Sequence, residues 1–306
     1  MSTTNIQNFP GDVQIRGTTF IKANTATDNL AIGTDAGLTS QGASSVAVGV
    51  SAGLNQQGAN SVAVGLNAGC ADQAANAVSI GNAAGCDSQG TQSIAIGNAA
   101  GRVAQGNTAV AVGVAAGSNA QGTNSVAVGY VAGCGSQGAK SVAVGYQAGK
   151  TSQTANAVAI GFDAGLNAQG TESVAIGHAA GSADQAANAV AIGYATAQNS
   201  QGASSVAIGS EAGRNVQGAS AVAVGNSAGS NQQGADAVAV GYQAGKADQG
   251  ANAVAMGHDA GLNAQGINAT AIGVQAGSVS QSVSATALGV NAGRASQGGN
   301  ATAVGD

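Results

Sequence analysis

From Asn29 onward, apolar and polar residues follow a fixed programme of sixteen positions. Gly recurs at 33, 49, 65 and every sixteenth residue to 305, eighteen times without an insertion or deletion. Gln stands eight residues after each of the first seventeen, from Gln41 to Gln297. One unit, Ser45 to Asn60, reads SVAVGVSAGLNQQGAN. Val46 and Val48 alternate with Ser45 and Ala47, which is the period of a strand and not of a helix. The Val48 position is Val or Ile in sixteen of eighteen units, as β-structure favours. Gly49 ends that strand, Ser51-Ala52-Gly53 forms a second short strand, and Leu54 to Asn60 makes the return turn.

A unit of sixteen residues cannot bury a face alone, whereas stacked units can. The pattern therefore predicts an all-β fold, a parallel β-solenoid or β-roll of about eighteen rungs over 29–306. At ~4.8 Å per rung this would extend roughly 80–85 Å. Residues 1–28 depart from the repeat. GDVQIRGTTFIKA alternates like strands and carries Phe20, with Phe9 just before it, so the segment reads as a cap over the first rung or an attachment segment. The chain stops inside a unit at ATAVGD, which suggests an open end able to dock head-to-tail.

On the strand pattern, the Val46 and Val48 columns form the interior and the intervening column faces out. That column is Ala in seventeen of eighteen units, Ser79 being the exception. A solvent-facing position has no reason to remain alanine, so Ala47, Ala63, Ala95, Ala111, Ala127, Ala143, Ala159 and Ala175 are expected to press against another copy. A symmetric homo-oligomer follows, with a three-fold bundle preferred. The Gln column, including Gln57, Gln73, Gln89, Gln105, Gln121 and Gln137, is expected to form an amide ladder, because a buried amide must find partners.

The position after each repeated Gly varies. It holds Tyr130, Tyr146, Phe162, His178 and Tyr194 on successive units, then Tyr242 and His258. This aromatic stripe suits sugar stacking or protein contact, against the plainer reading of a side chain filling a groove between subunits. Cys70, Cys86 and Cys134 share one turn column with Arg102, Lys150 and Arg214. Cys70 and Cys86 lie within disulfide reach, but stacking along the ladder disfavours the required dihedral, so free thiols are expected. Asp72, Asp184 and Asp248 share another turn column, each solitary on its rung.

Composition sharpens these readings. The 306 residues include 51 Gly, one Pro and no Trp, with 7% charged and a net charge of -5. That balance argues against a nucleic-acid partner, which leaves a basic footprint. Three cysteines make no disulfide framework. No run of eighteen apolar residues predicts membrane insertion, and the N-terminus shows no classical signal peptide. No nucleophile motif, phosphate loop or metal-ligand cluster stands out, so neither an enzyme nor a cofactor is expected.

"NSVAVG" at 60–65 and 124–129, "QSIAIG" at 92–97 and "ESVAIG" at 172–177 resemble the head repeats of YadA-like trimeric autotransporter adhesins. The resemblance covers 29–306 and implies a trimer of left-handed parallel β-rolls that binds host surface proteins. The family's unit is usually about fourteen residues, and its leader, heptad stalk and membrane barrel have no counterpart here. "AVGYQAG", at 143–149 and 239–245, is also similar to repeats in tail-fibre and surface proteins of phages and large DNA viruses. The expected function is thus a self-associating fibre or surface component of a virion or extracellular filament, with a capsid or host-surface partner. An adhesin binding a host glycan or protein through the aromatic stripe is the alternative. An ice-binding solenoid is a minor one, because Thr270, Thr286 and Thr302 align but replace core valines.

Overall fold

The computed structural model describes residues 27–305, together with the backbone of β1 (Val13–Ile15) and β2 (Thr18–Asn24). Phe9 and the side chain of Phe20 lie outside the described residues. Two compact units divide at Val131 and Ala132. Each is a parallel β-solenoid, about 17 turns in all, and no helix occurs among the described residues.

In the first unit, β1 pairs antiparallel with β2, and β2 pairs antiparallel with β3 (Asn29–Ile32), Ile21 opposite Ile32. β2 thus fills the hydrogen-bonding edge of the first repeat strand. From β3 the pairing is parallel and in register: Ala31 faces Ala47 of β4 (Val46–Val48), and Ala47 faces Ala63. The second unit repeats this arrangement from Val142–Val144 to Thr302–Val304.

A second parallel sheet closes each turn. Its strands end on the Gln column, as in Asn55–Gln57 and Ala71–Gln73, with Gln57 facing Gln73. Ser51-Ala52-Gly53, expected as this strand, is instead a turn in which Ser51 and Gly53 adopt φ near +55°. Backbone bonding continues through the turns in both directions. The Ser51 N–H donates to the Thr34 carbonyl of the preceding turn and Gly53 to Ala68 of the following one, each at 2.9 Å. The left-handed residues are therefore anchored on neighbouring turns, which offsets their conformational cost.

The interior is the reverse of the expected one. Ala47, Ala63, Ala95, Ala111, Ala127, Ala143, Ala159 and Ala175 are fully buried within their own chain, so they cannot form an interface with another copy. Facing them across the interior are the alanines of the turn, such as Ala52 and Ala148, also fully buried. Val46 and Val48 point outward and are only half-buried. The cause is space. A Cβ placed on Gly53 would lie 2.5 Å from Gln57 Oε1 and 3.4 Å from the Cβ of Ala47, so the interior beside Ala47 is already filled and has no space for a larger side chain. Where the column at Ser45 is Ser, its hydroxyl turns back on the main chain: Ser61 Oγ donates to the Gly58 carbonyl at 2.6 Å.

Two glycine columns show different constraints. Gly145 has φ +133°, and a Cβ there would stand 2.3 Å from the Gly161 carbonyl oxygen. Conformation and clearance both require glycine. Gly138 also lacks room, a Cβ meeting Ala155 N at 2.4 Å. Yet its column carries Ala74, Thr154, Ala186 and Ser282. At those positions the N–H to Gln carbonyl bond measures 3.0–3.1 Å, against 2.6–2.8 Å at the glycines. Adjacent turns part slightly there and admit the side chain. Gly145→Ala is expected to lower stability by about 3 kcal/mol or more, and Gly138→Ala by less than about 1 kcal/mol. Urea unfolding of the two variants checks the contrast.

Candidate functional site

The outward face of the Val-Ala-Val strands is the largest chemical feature of the surface. Each turn sets two branched side chains on it, spaced by the rung. Ile80, Ile96, Ile160, Ile208, Met256, Ile272 and Leu288 are all exposed by more than a third. Over the second unit these ranks form an apolar face broken only by Thr270, Thr286 and Thr302, of a kind that soluble monomers seldom leave bare. Thr270, Thr286 and Thr302 occupy the outward rank too, in register with one another, and are not core residues. Sequence reasoning missed this face by assigning it to the interior.

The aromatic stripe is real and is itself a stack. Tyr146 and Phe162 have ring centroids 4.8 Å apart, Phe162 and His178 4.9 Å, and His178 and Tyr194 5.1 Å, with interplanar angles of 6°, 7° and 23°. Tyr242 and His258 repeat the contact at 5.0 Å. Tyr130, also exposed, is the aromatic member of this column in the first unit. Because each ring covers the next, the run from Tyr146 to Tyr194 offers edges and hydroxyls rather than open faces. Within the run, a sugar that needs an aromatic face finds it covered by the neighbouring ring. His258 Nδ1 also lies 3.2 Å from Asp259 Oδ2.

The amide ladder lies inside, at 1–2% exposure for Gln57, Gln73, Gln89, Gln105, Gln121 and Gln137. Gln57 Nε2 donates to the Val46 carbonyl at 2.9 Å, and Gln73, Gln89, Gln105 and Gln121 make the equivalent bond at 2.8–2.9 Å. Gln105 also donates to Gln121 Oε1 at 3.0 Å and Gln137 to Gln153 Oε1 at 3.2 Å. The longest run extends from Gln185 to Gln297, each Nε2 donating to the next Oε1 at 3.0–3.3 Å. Ser79, the one departure in the buried Ala column, belongs to this network. It accepts from Gln73 Nε2 at 3.2 Å and donates to Gln89 Oε1 at 2.6 Å. The ladder is thus structural, sealed from any ligand.

Cys70 and Cys86, expected as free thiols, are joined by a disulfide, S–S 2.03 Å, with their Cα atoms 4.7 Å apart. In-register parallel pairing alone brings same-column cysteines within the Cα range of a disulfide. Asp72, Asp184 and Asp248 are exposed on the turns of the second sheet. Asp184 borders a shallow groove with Ser152 and Thr154, and Asp248 borders another with Val216 and Ile267. No helix of the described residues is long and apolar enough to cross a membrane.

Gln233→Leu removes the acceptor of Gln217 and the donor to Val222 and Gln249, and is expected to cost about 2–3 kcal/mol. Ser79→Ala removes an acceptor of Gln73 and the donor to Gln89 and is expected to cost about 1 kcal/mol. Thermal melts of both variants check these costs, in a ladder whose Gln73, Gln105 and Gln185 Oε1 atoms accept no bond. A scan against protein-family models finds no match to this chain, and neither the curated proteins nor the solved structures yield one.

Proposed function

We propose that the protein is a structural component that works by self-association, and that its outward Val/Ile face is the surface through which copies meet. The observation that supports this is the apolar rank itself: Val142, Val158, Val174, Val190 and their partners two residues on, half-buried or, at Ile160, exposed, and in register. A stable interface takes roughly 800 Å² from each partner, and a rank repeated at every turn adds area with each rung. Its fixed spacing suits a second copy of the same surface, as symmetric assembly demands. A homotrimer of left-handed rolls, placed in a fibre or on the surface of a virion, is the form that the resemblance to adhesin heads and viral fibres favours. The buried alanine column, first expected as the interface, plays no part in it.

The rival adhesin reading draws on the aromatic stripe, whose ring faces are mostly occupied by one another. Exposed edges and hydroxyls suit contact with protein better than stacking of sugars.

Light scattering coupled to gel filtration tests the proposal. The wild-type chain is expected to run as a multiple of 28.5 kDa. Ile208→Lys combined with Val224→Lys should yield single chains with unchanged β circular dichroism. Tyr146→Ser combined with Phe162→Ser should leave the assembly intact. A wild-type chain that remains a single copy at all concentrations would overturn the reading.

A further inference from the structure

We propose that Cys70, Cys86 and Asp87 form a redox-gated site for a thiophilic divalent metal ion such as Zn²⁺, closed while the sulfurs are bonded and open once they are reduced. The three residues belong to two consecutive turns of the first unit. Each offers one ligand atom, and the three atoms lie within 4.8 Å of one another. Cys86 Sγ is 3.6 Å from Asp87 Oδ1. The two cysteines are half-buried and Asp87 is exposed, so a further coordination position opens to water.

The ladder keeps this cluster assembled when the disulfide is absent. Ala71 N–H donates to the Cys86 carbonyl at 2.7 Å, and Asp87 N–H donates to the Arg102 carbonyl at 2.8 Å. The pairing of Ala71 with Asp87 and of Gln73 with Gln89 fixes the same register. The 4.7 Å between the Cα atoms is therefore set by the backbone and not by the sulfurs. Zn–S bonds of about 2.3 Å in tetrahedral geometry place two sulfurs about 3.8 Å apart, a spacing that adjacent turns provide with a change of side-chain rotamer. Two thiolates and one carboxylate select zinc or cadmium over calcium and magnesium. Leu54 and Arg102 hold the column on either side, which confines the site to these two turns.

The chemistry balances with a dithiol reductant. It supplies two electrons and two protons, becomes a disulfide itself, and leaves two thiols on the chain. The incoming ion then displaces both thiol protons and binds the thiolates. Reoxidation by a disulfide oxidant reverses the step and expels the ion.

Cadmium is the spectroscopic probe, titrated into the full chain carrying Cys134→Ser so that the third cysteine does not contribute. The reduced chain is expected to bind one Cd²⁺ with a thiolate-to-metal charge-transfer band in the ultraviolet, and a large excess of Zn²⁺ added beforehand should raise the Cd²⁺ concentration needed to produce it. The oxidised chain should show no band. Cys70→Ser should abolish it, and Asp87→Asn should weaken binding by about tenfold or more. Both replacements occur naturally in their columns, Ser at 118 and Asn at 55 and 119, so folding is preserved. A reduced chain that shows no band in excess Cd²⁺, a band that survives Cys70→Ser, or equal binding by the oxidised chain would each overturn the proposal.

Discussion

The structure depends on one constraint, the superposition of every residue on its own equivalent sixteen positions away. In-register parallel pairing makes each column a test repeated at every turn. A residue is accepted only if it fits above and below a copy of its own position. At Gly145 the next turn's carbonyl leaves no room for a side chain, and the same is true from Gly33 to Gly113 in the first unit and on to Gly289 in the second. The monotony of the chain follows from this geometry. Where the geometry relents, as in the column of Gly138, the composition relents too, and the backbone bond lengthens to make room.

The second determinant is the thinness of the interior. A strand and a turn that approach closely enough for alanine to meet alanine exclude valine, however favourable its burial would be. The larger apolar side chains must then stand outside, where they supply the material for association between copies. The buried glutamines seem out of place in such a core until their partners are counted. Each amide reaches a carbonyl of its own turn and, along much of the second unit, the amide of the next. Stacking supplies the partners that a lone buried amide would lack.

Much of this was legible before any coordinates. The period, the strand at each Val-Ala-Val, the parallel register, the glutamine ladder and the stacked aromatics all follow from repetition and alternation. The direction of the strand did not. Hydrophobicity ranks valine above alanine and pointed the wrong way, because volume decides in a narrow core. The useful signal was tolerance of size. The Val48 column accepts Val, Ile, Met256 and Leu288, as a free surface does, whereas the Ala47 column admits only Ser79 besides alanine. The second strand was placed too early because Ser51-Ala52-Gly53 alternates weakly, while its left-handed backbone leaves no mark on a serine. The disulfide was missed because the ladder's effect on Cα spacing was weighed less than the dihedral preference of the sulfurs.

The amide run from Gln185 to Gln297 has one more property. All its bonds point the same way, from each Nε2 to the next Oε1. No single amide can turn over alone, because reversal would set two donors or two acceptors face to face at both of its ends. The run must keep this one sense, because each Nε2 also donates to a carbonyl of its own turn and a flipped oxygen could not. Its dipoles therefore add, and mutual polarisation strengthens each bond. The interior of the second unit carries an electrical arrow running along the stack, although its glutamines bear no net charge.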